Sequence, residues 1–144
     1  MKNRRIATLC VALIAALTVS ACSLLNRSTP TATLKAFYEA SKKKDAAAMK
    51  KTLSKGSVNM FEKQAKEQGK SFDDLLKNDK DTPEKMPETR NEKINGDTAT
   101  LEVKNDQTNN WDTLPFVKED GEWKIAFDKF IEDMMKGLGE PKIK

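Results

Sequence analysis

The spacing of apolar residues changes once along this chain, and that change limits the fold more than any other feature of the sequence. Before Glu88, apolar side chains recur three and four residues apart, as in Leu34, Phe37 and Tyr38, which is the period of a helix. From Glu88 to Phe127 they alternate, which is the period of a strand with one buried face. Helices followed by an antiparallel meander predict an α+β fold in which the helices cover the apolar face of the sheet.

Capping residues divide the helical half into four predicted helices. Thr29-Pro30 starts the first helix, which ends near Lys44, and Asp45 starts the second. Gly56 is expected to end the second helix in a left-handed conformation, and a third helix follows it. Ser71 starts a fourth helix. A last helix is predicted after the sheet, and its apolar stripe consists of Phe130, Ile131, Met134, Met135 and Leu138.

Turn residues divide the alternating half into four predicted strands. The first strand runs from Glu88 to Ile94, and the turn pair Asn95-Gly96 joins it to the second. The third covers Trp111 to Lys118, and Asp120-Gly121 turns into the fourth. Pro115 has no N–H to donate to a neighbouring strand. We therefore expect the third strand to lie at a sheet edge or to carry a bulge at this proline.

The first 21 residues have the layout of an export signal. Lys2, Arg4 and Arg5 precede an apolar run from Ile6 to Ala16, and small residues follow. A membrane-spanning helix needs about 20 predominantly apolar residues, and this run is shorter. The pattern predicts a signal peptide over residues 1–21.

The tetrapeptide Val19-Ser20-Ala21-Cys22 resembles the bacterial lipobox. The resemblance implies attachment of a diacylglycerol to the Cys22 sulfur, cleavage between Ala21 and Cys22, and often acylation of the new amine. These acyl chains would anchor the protein to a membrane. Ordinary cleavage that leaves a free thiol is the alternative, although a lone thiol has little use in an oxidising compartment. In the sorting pattern of Gram-negative lipoproteins, Asp after the cysteine favours the inner membrane. By resemblance to that pattern, Ser23 suggests the outer membrane, facing the periplasm, if the cell has two membranes. The expected location is therefore the cell envelope.

Cleavage changes the composition of the protein. Three of the 26 basic residues leave with the signal, so 23 remain against 22 acidic ones and the net charge falls from +4 to +1. The basic residues are interleaved with acidic ones, and no binding to nucleic acid is expected. Residues 22–29 are predicted to be a tether, 30–139 one domain and 140–144 a tail. That domain contains no cysteine and no histidine.

Three segments carry a resemblance to a known family: Thr33–Ala40, Asp45–Leu53 and Lys118–Ile125. In this order behind a lipobox they resemble small bacterial lipoproteins with a nuclear transport factor 2-like domain, of the type called domain of unknown function 4878. The resemblance covers Pro30 to Phe127. It implies a cystatin-like cone, in which a curved antiparallel sheet wraps around helices with a cavity at the open end, and it implies pairing into homodimers through the sheet.

Tyr38, Trp111 and Trp123 are the candidate residues for lining such a cavity, because each combines an apolar ring with a polar tip. Packing in the core is the alternative for each. The expected partner is a small apolar or amphipathic ligand or an envelope protein, with no catalytic residue, cofactor or metal. An enzyme with an acidic or tyrosine-based cavity stays open as the second hypothesis, and it would need a buried carboxylate beside Tyr38.

Three further features each allow two interpretations. Asp73-Asp74, together with Asp79 and Asp81, suggests either a cation site or solvated surface, and solvated surface is preferred. The run Lys42–Lys44 suggests contact with lipid headgroups or an ordinary helix end, and the helix end is preferred. For the apolar stripe of the last helix, packing against its own domain is preferred over docking of a partner.

Overall fold

A computed structural model of the chain describes residues 28–77 and 83–137. Several predicted features lie outside the described residues: the signal peptide, the cleavage site at Ala21 and Cys22, most of the tether, Asp79, Asp81, Leu138 and the tail at 140–144.

Within the described residues, four helices precede a four-stranded sheet and a fifth helix follows it. The predicted α+β class and the predicted order of elements are confirmed. The elements are α1 (Pro30–Lys42), α2 (Ala46–Thr52), α3 (Lys55–Glu67), α4 (Phe72–Lys77), β1 (Thr89–Asn95), β2 (Thr98–Lys104), β3 (Trp111–Glu119), β4 (Glu122–Ile125) and α5 (Phe127–Gly137).

The first two helices start at the predicted capping residues. The Thr29 hydroxyl accepts a hydrogen bond from the Ala32 N–H at 3.0 Å, and the Asp45 carboxylate accepts one from the Ala48 N–H at 3.0 Å. These side chains satisfy N–H groups that have no partner inside the helix. The signals are local in the sequence, which is why they could be predicted.

The predicted end of the second helix at Gly56 is wrong. Leu53 leaves α2 in an extended conformation, with φ −91° and ψ 149°, and forms a parallel bridge with Ile125 of β4. Ser54 then caps α3, so Gly56 is the second residue of the next helix and has no positive φ. The bridge to a strand 72 residues later ends α2, and no local signal announces it.

The four strands form an antiparallel meander in the order β1-β2-β3-β4, so β3 lies between two neighbours. Its pairing with β2 is continuous through Pro115, and the predicted edge position or bulge is therefore wrong. The proline is tolerated because β4 ends at Ile125, beside it. The Pro115 carbonyl accepts from the Ala126 N–H at 3.0 Å, and the Ala126 carbonyl instead accepts from the Phe130 N–H in α5.

Two glycine-containing turns join the outer strand pairs. Asp120-Gly121 turns β3 into β4 as predicted, with φ of 53° and 81°, the sign that a type I′ turn requires at both positions. The first turn is one residue later than predicted. Asn95 still pairs with Thr98 in the ladder, so the turn residues are Gly96, with φ 59°, and Asp97.

The core lies between the helices and one face of the sheet. The buried apolar side chains of the described residues all fall between Pro30 and Ala126, downstream of the predicted cleavage site. The chain from Ser23 onward therefore contains every residue of this core. The most deeply buried large side chains are Met49, Leu101, Phe116 and Ile125.

None of the described helices is long and apolar enough to cross a membrane.

Candidate functional site

The structure places the three predicted cavity residues in different surroundings. Trp123 belongs to the core and is only 5% exposed, and its carbonyl accepts a hydrogen bond from the Thr33 hydroxyl at 3.1 Å. Tyr38 on α1 is half-buried, and its hydroxyl donates to the Glu84 backbone carbonyl at 2.8 Å. Trp123 therefore packs, whereas Tyr38 reaches the loop before β1.

Trp111 lies on the opposite face of the sheet. Leu114 and Phe116 on the same strand point into the core, so the odd-numbered residues of β3 point away from it. The Arg90 guanidinium stacks over the Trp111 ring, 3.9 Å from its centroid. The structure thus does not bring Trp111 together with Trp123 in one cavity.

Side chains occupy the space between the helices and the sheet. Phe37, Phe61 and Phe127 form a chain of edge-to-face contacts, with centroids 5.8 and 5.9 Å apart. Such pairs add to the stability that burial alone provides. The interior of the cone is consequently a packed core around Phe116 and Leu101, each 1% exposed.

A cleft of about 510 Å³ opens at one end of the sheet, between the loop before β1 and the loop that joins β2 to β3. We call it the polar cleft. Pro83, Glu84 and Pro87 line one side, and residues 104–107 line the other. The cleft lies between two surface loops, and loops of this kind often carry the binding residues of a protein.

Hydrogen bonds to α1 and β2 hold the first wall of the polar cleft. The Tyr38 hydroxyl and the Lys42 ammonium both donate to the Glu84 carbonyl, at 2.8 and 3.4 Å. The Lys104 N–H donates to the Glu88 carbonyl at 2.9 Å, and the Lys104 ammonium lies 3.7 Å from the Glu88 carboxylate. Tyr38 therefore supports the wall of a cleft through its polar tip.

Asn105 fixes the second wall. Its side-chain oxygen accepts from the backbone N–H groups of Gln107 and Thr108, at 3.0 and 3.2 Å, and its amide donates to Asp112 at 3.1 Å. Within the described residues, the Gln107 side chain has no partner. The Lys104 ammonium and the Gln107 amide can therefore act as donors to a ligand in the cleft.

A second polar cluster links α3 to α5. The Asp128 carboxylate accepts from the Ser54 and Ser57 hydroxyls at 3.0 and 2.9 Å, and the Ser57 hydroxyl also lies 3.2 Å from the Ile125 carbonyl. Ser54 and Ser57 are 2% and 0% exposed. Because each hydroxyl is buried and satisfied, the cluster is a structural link between helices. Only the Ser54 cap has a signal in the sequence, since Asp128 lies 71 residues from Ser57.

Charged residues on the outer face of the sheet pair with each other. The hydrogen bond from the Arg90 guanidinium, at 2.6 Å, is the largest cause that lowers the pKa of the Glu102 carboxyl, and Asn91 adds a second at 3.0 Å. Arg90 therefore both stacks on Trp111 and holds Glu102 ionised. The part of the chain that the structure describes contains no cluster of acidic, cysteine or histidine side chains that could hold a metal ion.

The remaining predicted features take mostly structural roles. Asp74 accepts from the Ser71 hydroxyl at 2.6 Å at the start of α4, in place of a cation site. Within the apolar stripe, Phe130 packs against the core as predicted. The same prediction is wrong for the other described members, because Ile131, Met134 and Met135 are 37%, 49% and 67% exposed.

Residues 26–130 match the family described as "Putative lumazine-binding", a small family with the nuclear transport factor 2-like fold. The chain belongs to this family. The fold of the family agrees with the helices and the antiparallel sheet of this chain. The description of the family points to a module that binds a small ligand. The predicted resemblance to lipoproteins of the 4878 type agrees with this fold, but membership of that lipoprotein family stays a prediction. No curated protein and no solved structure matches the chain significantly.

Proposed function

We propose that the protein is a lipid-anchored module of the bacterial cell envelope that binds a small ligand in the polar cleft. The observation that most supports ligand binding is the match of residues 26–130 to a family described by a small ligand. The match extends over the whole described domain except the end of α5. Because side chains fill the interior between the helices and the sheet, we place the binding site in the polar cleft at the end of the sheet.

The polar cleft suits a planar heterocycle that carries carbonyl and N–H groups, as lumazine does. Its volume of about 510 Å³ falls within the roughly 300 to 1,000 Å³ usual for ligand pockets. Lys104 and Gln107 supply donors for carbonyl oxygens, and the rings of Pro83 and Pro87 supply flat apolar surface. The ligand that we propose is therefore flat and polar at its edge, which fits the amphipathic and not the apolar alternative expected from the sequence.

Calorimetric titration with lumazine tests the site. We expect saturable binding that Gln107→Ala and Lys104→Met each weaken about fivefold or more, because one hydrogen bond is worth about 1 kcal/mol or more. Lys43→Met removes an exposed lysine outside the cleft and should leave the affinity unchanged. No heat of binding, or equal affinity in all four proteins, would contradict the proposal for this ligand.

Native mass spectrometry of protein extracted from its own membranes tests the wider class of ligand. We expect an additional mass, too small for a protein, whose occupancy is lower in Gln107→Ala. The same spectrum reports whether the protein is a homodimer. A bound mass whose occupancy is the same in Gln107→Ala as in the wild type would place the ligand elsewhere.

The anchor is proposed from the sequence: a signal peptide over residues 1–21, cleavage between Ala21 and Cys22, and acyl chains on Cys22. The intact mass of the extracted protein should exceed that of residues 22–144 by one diacylglyceryl group, with or without a third acyl group on the amine. A mass equal to the polypeptide alone would remove the anchor from the proposal and leave the ligand site untouched.

We place binding ahead of catalysis. The enzyme hypothesis needed a buried carboxylate beside Tyr38, and the Tyr38 hydroxyl instead meets the backbone carbonyl of the exposed residue Glu84. The partly buried Asp128 carboxylate is already bonded to the Ser54 and Ser57 hydroxyls. Both observations support a protein that holds a ligand without transforming it.

A further inference from the structure

A second cleft, of about 430 Å³, lies between α3 and α4 and is separate from the polar cleft. We call it the lysine cleft. Lys63, Lys66 and Lys70 stand around it, and Ala65 and Phe72 form its floor.

The helix period and one turn bring the three lysines together. Lys63 and Lys66 are three residues apart on α3 and so share a side of the helix. Gly69, with φ 64°, then reverses the chain, and the Lys70 N–H donates back to the Ala65 carbonyl at 2.9 Å. This turn places Lys70 and the start of α4 beside the lysines of α3.

The positive charge around the lysine cleft is not neutralised within the described residues. Lys63 and Lys66 have no ion-pair partner there, and the Lys70 ammonium contacts only the neutral Gln68 side chain, at 3.3 Å. The carboxylate of Glu62 also lines the cleft, but it pairs with Lys50 at 2.5 Å. Like charges three or four residues apart on a helix repel, and a bound anion relieves that repulsion.

The floor of the lysine cleft is apolar. Phe72 and Ala65 are 9% and 2% exposed, and the Phe72 ring packs edge-to-face against Phe61 with centroids 6.3 Å apart. The Lys50 ammonium lies 4.9 Å from the Phe72 ring centroid, which fixes a cation at the edge of the floor. A cationic rim above an apolar floor suits a molecule with an anionic head and an apolar body.

We infer that the lysine cleft binds an amphipathic anion, with its carboxylate or phosphate between Lys63, Lys66 and Lys70 and its apolar part against Phe72. A small inorganic anion gains nothing from the floor, and a neutral amphiphile gains nothing from the rim. Two sources supply this chemistry: a free fatty acid anion, or an anionic phospholipid at a membrane surface. The inference is independent of the ligand of the polar cleft.

The test is an amide NMR titration of residues 23–144, which contain the whole described core, with monomeric dodecanoate at low ionic strength. We expect saturable shifts between Asn59 and Phe72. The Lys63→Gln/Lys66→Gln double variant should bind at least tenfold more weakly. Lys35→Gln/Lys43→Gln, with the same charge change on α1 and at its C-cap, should bind like the wild type. Equal affinity in the two double variants would overturn the inference.

Further probes separate the parts of the inference. Acetate and inorganic phosphate should produce shifts only at far higher concentration, and equal affinity for them would refute the role of the apolar floor. Octyl glucoside below its micelle concentration should not bind, and binding would refute the role of the lysines. Phosphatidylcholine vesicles containing phosphatidylglycerol distinguish the sources: binding that depends on Lys63 and Lys66 supports a membrane lipid, and binding of dodecanoate alone supports a free acid.

Discussion

Gly56 shows how one residue can be fixed by a distant partner. A Cβ atom at this position would lie 2.3 Å from one Asp128 carboxylate oxygen and 2.8 Å from the carboxylate carbon. Real Cβ atoms do not approach other atoms so closely. The carboxylate cannot simply swing away, because its other oxygen accepts from the Ser54 and Ser57 hydroxyls. Glycine is required here for space, and its freedom at positive φ plays no part.

We expect Gly56→Ala to destabilise the protein by about 1 to 3 kcal/mol, the usual cost of overpacking. The added methyl group must displace Asp128 and break its bonds to the two serines. Urea denaturation measures the change. In an Asp128→Ala background the same substitution should be neutral or slightly stabilising, because alanine is a better helix former than glycine. An equal loss in both backgrounds would show that the carboxylate is not the obstacle.

The ion pair between Arg90 and Glu102 makes stability depend on acidity. Since the folded state lowers the pKa of Glu102 below its usual value of 4.5, the stabilisation is present at neutral pH and is lost as the pH falls through the lowered pKa. We expect Glu102→Gln to lower the melting temperature at pH 7, with a smaller difference from the wild type at pH 3. In an Arg90→Met background the substitution should have a much smaller effect at either pH.

At the scale of the elements, α5 divides into a packed start and an exposed end. Phe127 and Phe130 pack against the core, and Phe127 contacts both Phe37 and Phe61. Met134 and Met135, one to two turns further, are 49% and 67% exposed. The helix is therefore attached by its first turn, and the rest of the stripe contributes little to the fold.

We expect Phe130→Ala to lower the free energy of unfolding by about 2 kcal/mol, since the ring is half-buried and only part of the cost of a fully buried phenylalanine applies. Met135→Gln should change it by no more than about 0.5 kcal/mol, as is usual for exposed positions. Both values come from urea denaturation. A loss with Met135→Gln that matches Phe130→Ala would mean that the end of the helix is also packed.

The elements that the sequence predicts well are those whose signals lie within a few residues. The caps at Thr29 and Asp45, the turn at Asp120-Gly121 and the alternation of β2, β3 and β4 all depend on local chemistry, and all are confirmed. The alternation predicted for the first strand is not found, because β1 is exposed along nearly its whole length. Pro115 and Gly56 were misjudged because their neighbours come from distant parts of the chain. A proline looks incompatible with an inner strand until the early end of β4 beside it is known.

The candidate site was harder to predict than the fold for a related reason. Aromatic residues with polar tips can either line a cavity or fill a core, and composition does not distinguish the two. Trp123 fills the core, Trp111 stacks under Arg90 outside it, and only Tyr38 touches a wall of the polar cleft. The donors of that cleft, Lys104 and Gln107, are ordinary polar residues near a loop, and nothing in their spacing marks them before the chain folds.

At the scale of the whole molecule, stable binding to a membrane is proposed to come from the acyl chains on Cys22 and not from the exposed apolar side chains of α5. Each buried methylene of an acyl chain contributes about 0.8 kcal/mol to membrane binding, and even a single myristoyl chain binds only marginally. Ile131, Met134 and Met135 are a smaller apolar surface than a pair of such chains, so adsorption through α5 alone would be weak. Stable residence at a membrane would therefore depend on Cys22.

We therefore expect the Cys22→Ser variant to move from the membrane fraction to the soluble fraction in a cell fractionation. For this test the variant is exported with a signal peptide whose cleavage does not need the cysteine. Met134→Gln/Met135→Gln with Cys22 intact should remain in the membrane fraction, because its acyl chains are unchanged. If the serine variant stays with the membrane and the methionine variant leaves it, then the exposed face of α5 is the anchor, and the lipobox resemblance would not describe this protein.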